Sequence, residues 1–151
     1  MGPDASYAVE EAVRALARGR MVVILDGSDR ENEGDLAIAA EYATAAAIGF
    51  MLMCGRGLVC MPIIGERLDE LRLPPMVPHA EGGNPAFTVS VDARRGVSTG
   101  ISARDRASTV RAILDHRTTR EDLFCPGHLL DRKSTRLNSS HIQKSRMPSS
   151  A

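Results

Sequence analysis

Tryptophan is absent from this sequence of 151 residues, and aromatic side chains make up only 3% of it. Its core must therefore be aliphatic, built on Ala, Val, Ile, Leu and Met. Lysine is missing from residues 1–130, where 14 arginines face 18 acids, so this body is net acidic. An acidic body argues against a nucleic-acid-binding surface. A local arginine cluster can still hold an anionic substrate. The three cysteines, Cys54, Cys60 and Cys125, form no C-x-x-C pair, which argues against a structural zinc site. No apolar run approaches the ~18 residues of a membrane span. Residues 1–20 pattern as an amphipathic helix without the apolar centre of a secretory signal. The expectation is a cytoplasmic protein with reduced thiols, bound to neither membrane nor nucleic acid.

What is present fits a globular domain. Hydrophobic residues account for 43% of the chain, too many for a disordered one. A chain of this length is expected to form one domain and to hide roughly 70% of its unfolded surface. The composition breaks after residue 130. The segment 131–151, DRKSTRLNSSHIQKSRMPSSA, contains both lysines, is rich in serine and has no hydrophobic period. By composition alone it reads as a disordered tail. Its two flanks also match the conceptual translation of a sequencing-library adapter, with Ile142, Gln143 and Lys144 covering the variable index between them. The expectation is thus a partial domain over 1–130 followed by a non-native tail over 131–151. Codons in that stretch that differ from the adapter would dismiss the second half of this reading.

Hydrophobic periodicity outlines the elements of the body. Val9, Val13 and Leu16 share one face of a helix over residues 6–18. Residues 21–25 and 36–40 read as strands, the first of them buried. Thr44 can cap a helix running to about Met53. Residues 58–64 read as a strand that Pro62 ends or confines to an edge, and residues 66–71 as a short helix. Phe87, Val89 and Val91 alternate with Thr88, Ser90 and Asp92, the period of a half-buried strand. Ser102 and Asp105 form a capping signal before a helix to about Leu114, and Thr119 can cap one further turn. Alternating strands and helices predict an α/β (α+β) domain, a layered fold with a mixed sheet flanked by helices.

The stretch 29–35, DRENEGD, places four carboxylates in seven residues between two apolar runs. In an extended chain Asp29, Glu31, Glu33 and Asp35 share one face. Their mutual repulsion is relieved if a cation sits among them, and carboxylate oxygens suit magnesium or manganese rather than a soft metal. A solvated acidic turn explains the same residues equally well. A lone histidine after Pro-Gly, such as His128, is more often a turn residue than a catalyst. Cys60 in an apolar run is ordinarily a small core residue, and Thr99 beside Gly100 an ordinary turn residue.

The string DRENEGDL (29–36) resembles the signature of the 3,4-dihydroxy-2-butanone 4-phosphate synthases, although residues 26–29 depart from the family's usual lead-in. Further matches follow in order: GRGLVC (55–60), RLDEL with LPPMV (67–71 and 73–77), FTVSVD (87–92), GVSTGISA with Asp105, Arg106 and Thr109, and PGH (126–128). Cys125 stands where the family usually has arginine. Together these motifs cover nearly all of residues 9–130.

The resemblance implies a Mg2+- or Mn2+-dependent lyase of riboflavin biosynthesis. It would convert ribulose 5-phosphate into 3,4-dihydroxy-2-butanone 4-phosphate and formate, and such enzymes are usually homodimers. By residue-wise carry-over, Glu31 is the metal ligand and also meets substrate. Arg30 and Asp35 contact the sugar phosphate, and Glu33 supports the metal shell. His128 is catalytic, with Glu33, Asp35 and Cys60 beside it, and Thr99 lies near the substrate. The family's second metal-binding histidine belongs to a GHTE-type motif that this sequence does not contain. His141 is not assigned to that role. This chain is accordingly expected to show little or no turnover, and a non-catalytic fragment that binds metal or phosphosugar is the alternative.

Overall fold

A computed structural model describes residues 5–25, 33–77 and 87–131. The N-terminal helix α1 (Ala5–Ala17) leads into a hairpin of β1 (Val22–Leu25) and β2 (Gly34–Ala37). These strands pair antiparallel, Val22 opposite Ala37 and Leu25 opposite Gly34. A short 3-10 turn (Ala40–Tyr42) precedes α2 (Ala45–Cys54), and α3 (Gly65–Glu70) follows. The second half contains β3 (Val91–Ala93), α4 (Ala103–Leu114), a second 3-10 turn (Arg120–Asp122) and β4 (Leu123–Leu129). β3 and β4 pair antiparallel. The parallel component expected of a mixed sheet is a single bridge between Cys60 and Leu130.

The helix boundaries follow local chemistry. Thr44 accepts a hydrogen bond from the Ala47 N–H at 3.2 Å and so starts α2. Ser102 accepts from the Asp105 N–H at 3.0 Å and starts α4. Thr119 and Asp122 form a reciprocal capping box around the second 3-10 turn. At the far end of α4, Arg67 reaches over from α3. Its Nε donates to the Ile113 carbonyl at 3.1 Å, and its Nη2 donates to the carbonyls of Asp115 and Thr118 at 2.7 and 3.1 Å. A cation at the carbonyl end of a helix satisfies acceptors that the helix leaves open and opposes its dipole.

The core is aliphatic, as the scarcity of aromatics requires. Ile48, Met61, Ile63, Leu68, Leu71, Leu73, Val91, Val110, Ile113, Leu123 and Leu129 form one buried cluster, with α2 and α4 packed across it. No helix among the described residues is long and apolar enough to cross a membrane.

Three expectations need correction. β1 forms where it was expected but is not buried. Val23, Ile24 and Leu25 are 61%, 55% and 76% exposed; successive strand residues face opposite sides, so neither face of the hairpin is covered there among the described residues. The apolar face of α1 is likewise open, with Val9 and Val13 exposed. Residues 58–64 run alongside the end of β4 with only one bridge, at Cys60. There the Met61 N–H donates to the Leu130 carbonyl at 2.8 Å and the Ile63 N–H to Asp131 Oδ1 at 2.8 Å. Pro62, between them, has no N–H to extend a ladder. Finally, the alternation over 87–92 does not separate a buried apolar face from an open polar one. Thr88 and Asp92 are buried together with Val91, whereas Phe87, Val89 and Ser90 are half-buried, since the Thr88 N–H pairs with the Asp131 carbonyl and Asp92 meets His128. Asp131 itself is buried, so packed structure continues one residue past the break in composition.

Candidate active site

β4 went unrecognised in the sequence because Pro126-Gly127 reads as a turn. In the fold it carries an insertion within a strand pair. Phe124 pairs with Asp92 and Leu129 with Val91, so residues 125–128 bulge out opposite a single step of β3. A bulge leaves backbone N–H groups without ladder partners and re-aims side chains. Here side chains replace the ladder. The Gly127 N–H donates to Ser90 Oγ at 3.1 Å, and the His128 N–H donates to Asp92 Oδ1 at 2.9 Å. Gly127 lies so close to the backbone of Val91 and Asp92 that a Cβ at this position would overlap both.

The bulge delivers His128 to Asp92. The imidazole Nδ1 lies 2.7 Å from Asp92 Oδ2, with the carboxylate side chain 8% exposed and the histidine 37% exposed. Asp92 thus holds one residue twice, through its backbone and through its ring. The loop 96–102 closes the other side of the carboxylate. Gly100, at φ +85, packs directly against the Asp92 carboxylate, leaving no space for a Cβ.

Asp105, buried in the first turn of α4, fixes that loop. It accepts from Ser98 Oγ at 2.8 Å, from the Ser98 N–H at 3.2 Å and from the Gly100 N–H at 3.1 Å. These donors, the Ser98 hydroxyl foremost, hold its carboxyl below the usual carboxylate range despite its burial. Arg106 then ties the loop to the bulge. Its Nε donates to the Ile101 carbonyl at 3.0 Å and its Nη1 to the His128 carbonyl at 2.8 Å. Thr99, exposed on this loop, is thereby carried next to the Asp92–His128 pair by its neighbour Gly100.

Asp35 and Cys60 come together elsewhere. Both line a hollow of about 90 Å³ between β2, the end of α2 and the segment after it, with Gly34, Met51 and Gly57. Cys60 bridges Leu130, two residues beyond His128, so one strand end connects this hollow to the histidine. Glu33 is exposed just before β2. Arg30 and Glu31 lie outside the described residues. Among the described residues no three His, Cys, Asp or Glu side chains converge on one point. Carboxylates in this segment have the donor chemistry of a hard divalent cation, but Glu33 and Asp35 alone do not complete its shell. Asp92 and Arg106 are the residues that sequence reasoning left without a role. Both stood inside matched motifs, yet only the fold puts them against His128.

The arrangement is an α+β scaffold holding an oriented histidine–carboxylate pair, a geometry suited to proton transfer. The family model of 3,4-dihydroxy-2-butanone 4-phosphate synthase matches residues 10–136, and the chain belongs to that family. A 3,4-dihydroxy-2-butanone 4-phosphate synthase of Agrobacterium fabrum is 49% identical over 122 residues, which are 80% of this chain and 57% of that protein. The riboflavin biosynthesis protein RibBA of Nocardia farcinica is 48% identical over 123 residues, 81% of this chain and 30% of that protein. A solved 3,4-dihydroxy-2-butanone 4-phosphate synthase in complex with two magnesium ions superposes with a TM-score of 0.78 at 40% identity, over 82% of this chain and 58% of that one. The chain thus spans less than two thirds of the length of these relatives, from 30% to 58%.

Proposed function

We propose that the protein to which this sequence belongs is a magnesium-dependent lyase that converts D-ribulose 5-phosphate into 3,4-dihydroxy-2-butanone 4-phosphate and formate. The observation that carries the proposal is the family match over residues 10–136, in which PGH (126–128) forms a bulge that seats His128 on a buried carboxylate. Such a reaction removes a proton beside a ketone, expels water, shifts the carbon skeleton and releases one carbon. Negative charge develops on oxygen next to a carbonyl at each stage. Magnesium, or manganese in its place, supplies Lewis-acid stabilisation of that charge when bound.

The chain's own residues divide the remaining work. Glu31 would hold the cation, with Glu33 supporting it. Arg30 and Asp35 would grip the sugar phosphate, Arg30 offering the planar fork that suits phosphate oxygens. His128 would accept and return protons, since imidazole titrates closest to neutral pH. Cys60 and Thr99 would border the substrate from the two sides described above. Cytoplasmic location is supported by three cysteines that form no disulfide among the described residues. Homodimer formation is supported by the open apolar surface of α1 and β1.

Formate release from ribulose 5-phosphate tests the reading. The assay compares this chain with a version extended to the length of its single-enzyme relatives, each with and without magnesium. We expect turnover from the extended protein alone, lost on chelation and reduced at least about 100-fold by Glu31→Gln or His128→Asn. An extended protein that binds magnesium and ribulose 5-phosphate without producing formate would establish the non-catalytic alternative. Equal turnover from both lengths would show that the residues present here suffice.

A further inference from the structure

The structure assigns Asp92 as the positioning residue that fixes the tautomer of His128 and makes Nε2 the nitrogen that exchanges protons with substrate. This rests on the lyase reading for the reaction, but its geometric half stands on the chain itself.

The argument starts from the two oxygens of one carboxylate. Oδ1 accepts from the His128 backbone N–H at 2.9 Å, and Oδ2 lies 2.7 Å from His128 Nδ1. A carboxylate only accepts hydrogen bonds, so Nδ1 carries the hydrogen in the neutral ring. Nε2, at the opposite edge, is then the unprotonated nitrogen, a base with its lone pair available. When Nε2 takes a proton, the imidazolium is stabilised by the negative charge behind it.

The surroundings allow Asp92 little other behaviour. Its carboxylate is almost fully buried and is backed by Gly100, where no side chain fits. Asp105 anchors Gly100 through the backbone N–H, and Arg106 holds the His128 carbonyl from the same helix turn. Among the described residues, the charged side chains hydrogen-bonded to His128 are Asp92, at its ring and backbone N–H, and Arg106, at its carbonyl. A carboxylate buried merely to support the fold would not need to meet both the backbone and the ring of the same exposed histidine.

Asp92→Asn is the discriminating substitution because it keeps the shape. The asparagine Oδ1 can still accept from the His128 N–H, which leaves its NH2 facing Nδ1. That amide donates, so the neutral ring must move its hydrogen to Nε2, and the lone pair that served as base disappears. Imidazole 15N chemical shifts read the tautomer directly in this chain, and His128→Gln identifies the signals by removing them. We expect the Nδ1–H form in the native sequence and the Nε2–H form in Asp92→Asn. In the extended protein the same substitution should lower kcat for formate release at least about 100-fold while KM moves less than about threefold.

A native His128 in the Nε2–H form overturns the positioning role, whatever any variant does. An unchanged tautomer in folded Asp92→Asn overturns it as well. A switched tautomer with native turnover overturns the claim that Nε2 serves the reaction. An extended native protein without lyase turnover defeats the proposed function and, with it, the catalytic half of this inference, while the tautomer result still decides the geometric half.

Discussion

The two halves of the candidate site are built in opposite ways. Around His128, every element is held by partners within the chain: the bulge by Ser90 and Asp92, the 96–102 loop by Asp105, and both by Arg106. Around the acidic segment, the hairpin β1–β2 is antiparallel and regular, yet Val23, Ile24 and Leu25 lie open on both of its faces. The first half is pre-organised by the fold of this chain. The second lies beside a hairpin whose apolar side chains are uncovered among the described residues.

Substitutions should separate the halves, and the largest effect belongs to the aliphatic core. Leu68, fully buried within the aliphatic cluster, should cost about 2–5 kcal/mol when changed to Ala, as cavity-forming truncations do. Denaturant unfolding measures it. Next comes Gly127→Ala, whose methyl group would meet the backbone of Val91 and Asp92. Overpacking of this kind costs about 1–3 kcal/mol or more, and the Asp92–His128 contact should be lost along with the stability. If Gly127→Ala left that contact intact by NMR, the bulge would be softer than described.

A smaller loss, about 1 kcal/mol, is expected for Ser102→Ala, which removes the cap of α4. Ile24→Ala is the opposite pole, at less than about 0.5 kcal/mol because the side chain is already exposed. A cost near that of Leu68→Ala would mean that the hairpin is covered in solution, and the contrast between the halves would collapse.

Acid offers a graded version of the same comparison. The Asp105 carboxyl is held below its ordinary value of 3.8, chiefly by Ser98. A depressed carboxylate stabilises the fold fully above that ordinary value, and its contribution fades as pH falls through the lower folded value. The amide signals of Ser98 and Gly100 should therefore stay native from neutrality to about pH 4 and shift only below it. Asp115 and Asp122 are likewise held low, by Arg117 and Thr119 respectively. Asp105→Asn isolates the loop's share: its Ser98 and Gly100 signals should differ from native at every pH and lose this acid transition.

Sequence alone determined a good deal here. Helices α2 and α4 and both capping residues, Thr44 and Ser102, were legible because an N-cap acts on backbone within three residues of itself. An aliphatic core was legible from composition. The family was legible from ordered motifs, which also nominated Arg30, Glu31, Asp35 and His128. What only the tertiary structure decided depends on contacts distant in the chain. β4 was hidden because Pro126-Gly127 signals a turn locally, whereas Asp92, 36 positions before His128, comes alongside to receive the bulge only in the fold. The burial of Thr88 and Asp92 was not legible because periodicity records apolar spacing and is blind to a buried carboxylate with a distant partner. A ladder's missing hydrogen bonds, an imidazole's tautomer and the closeness of Gly100 to Asp92 are all settled by chain segments that meet only after folding.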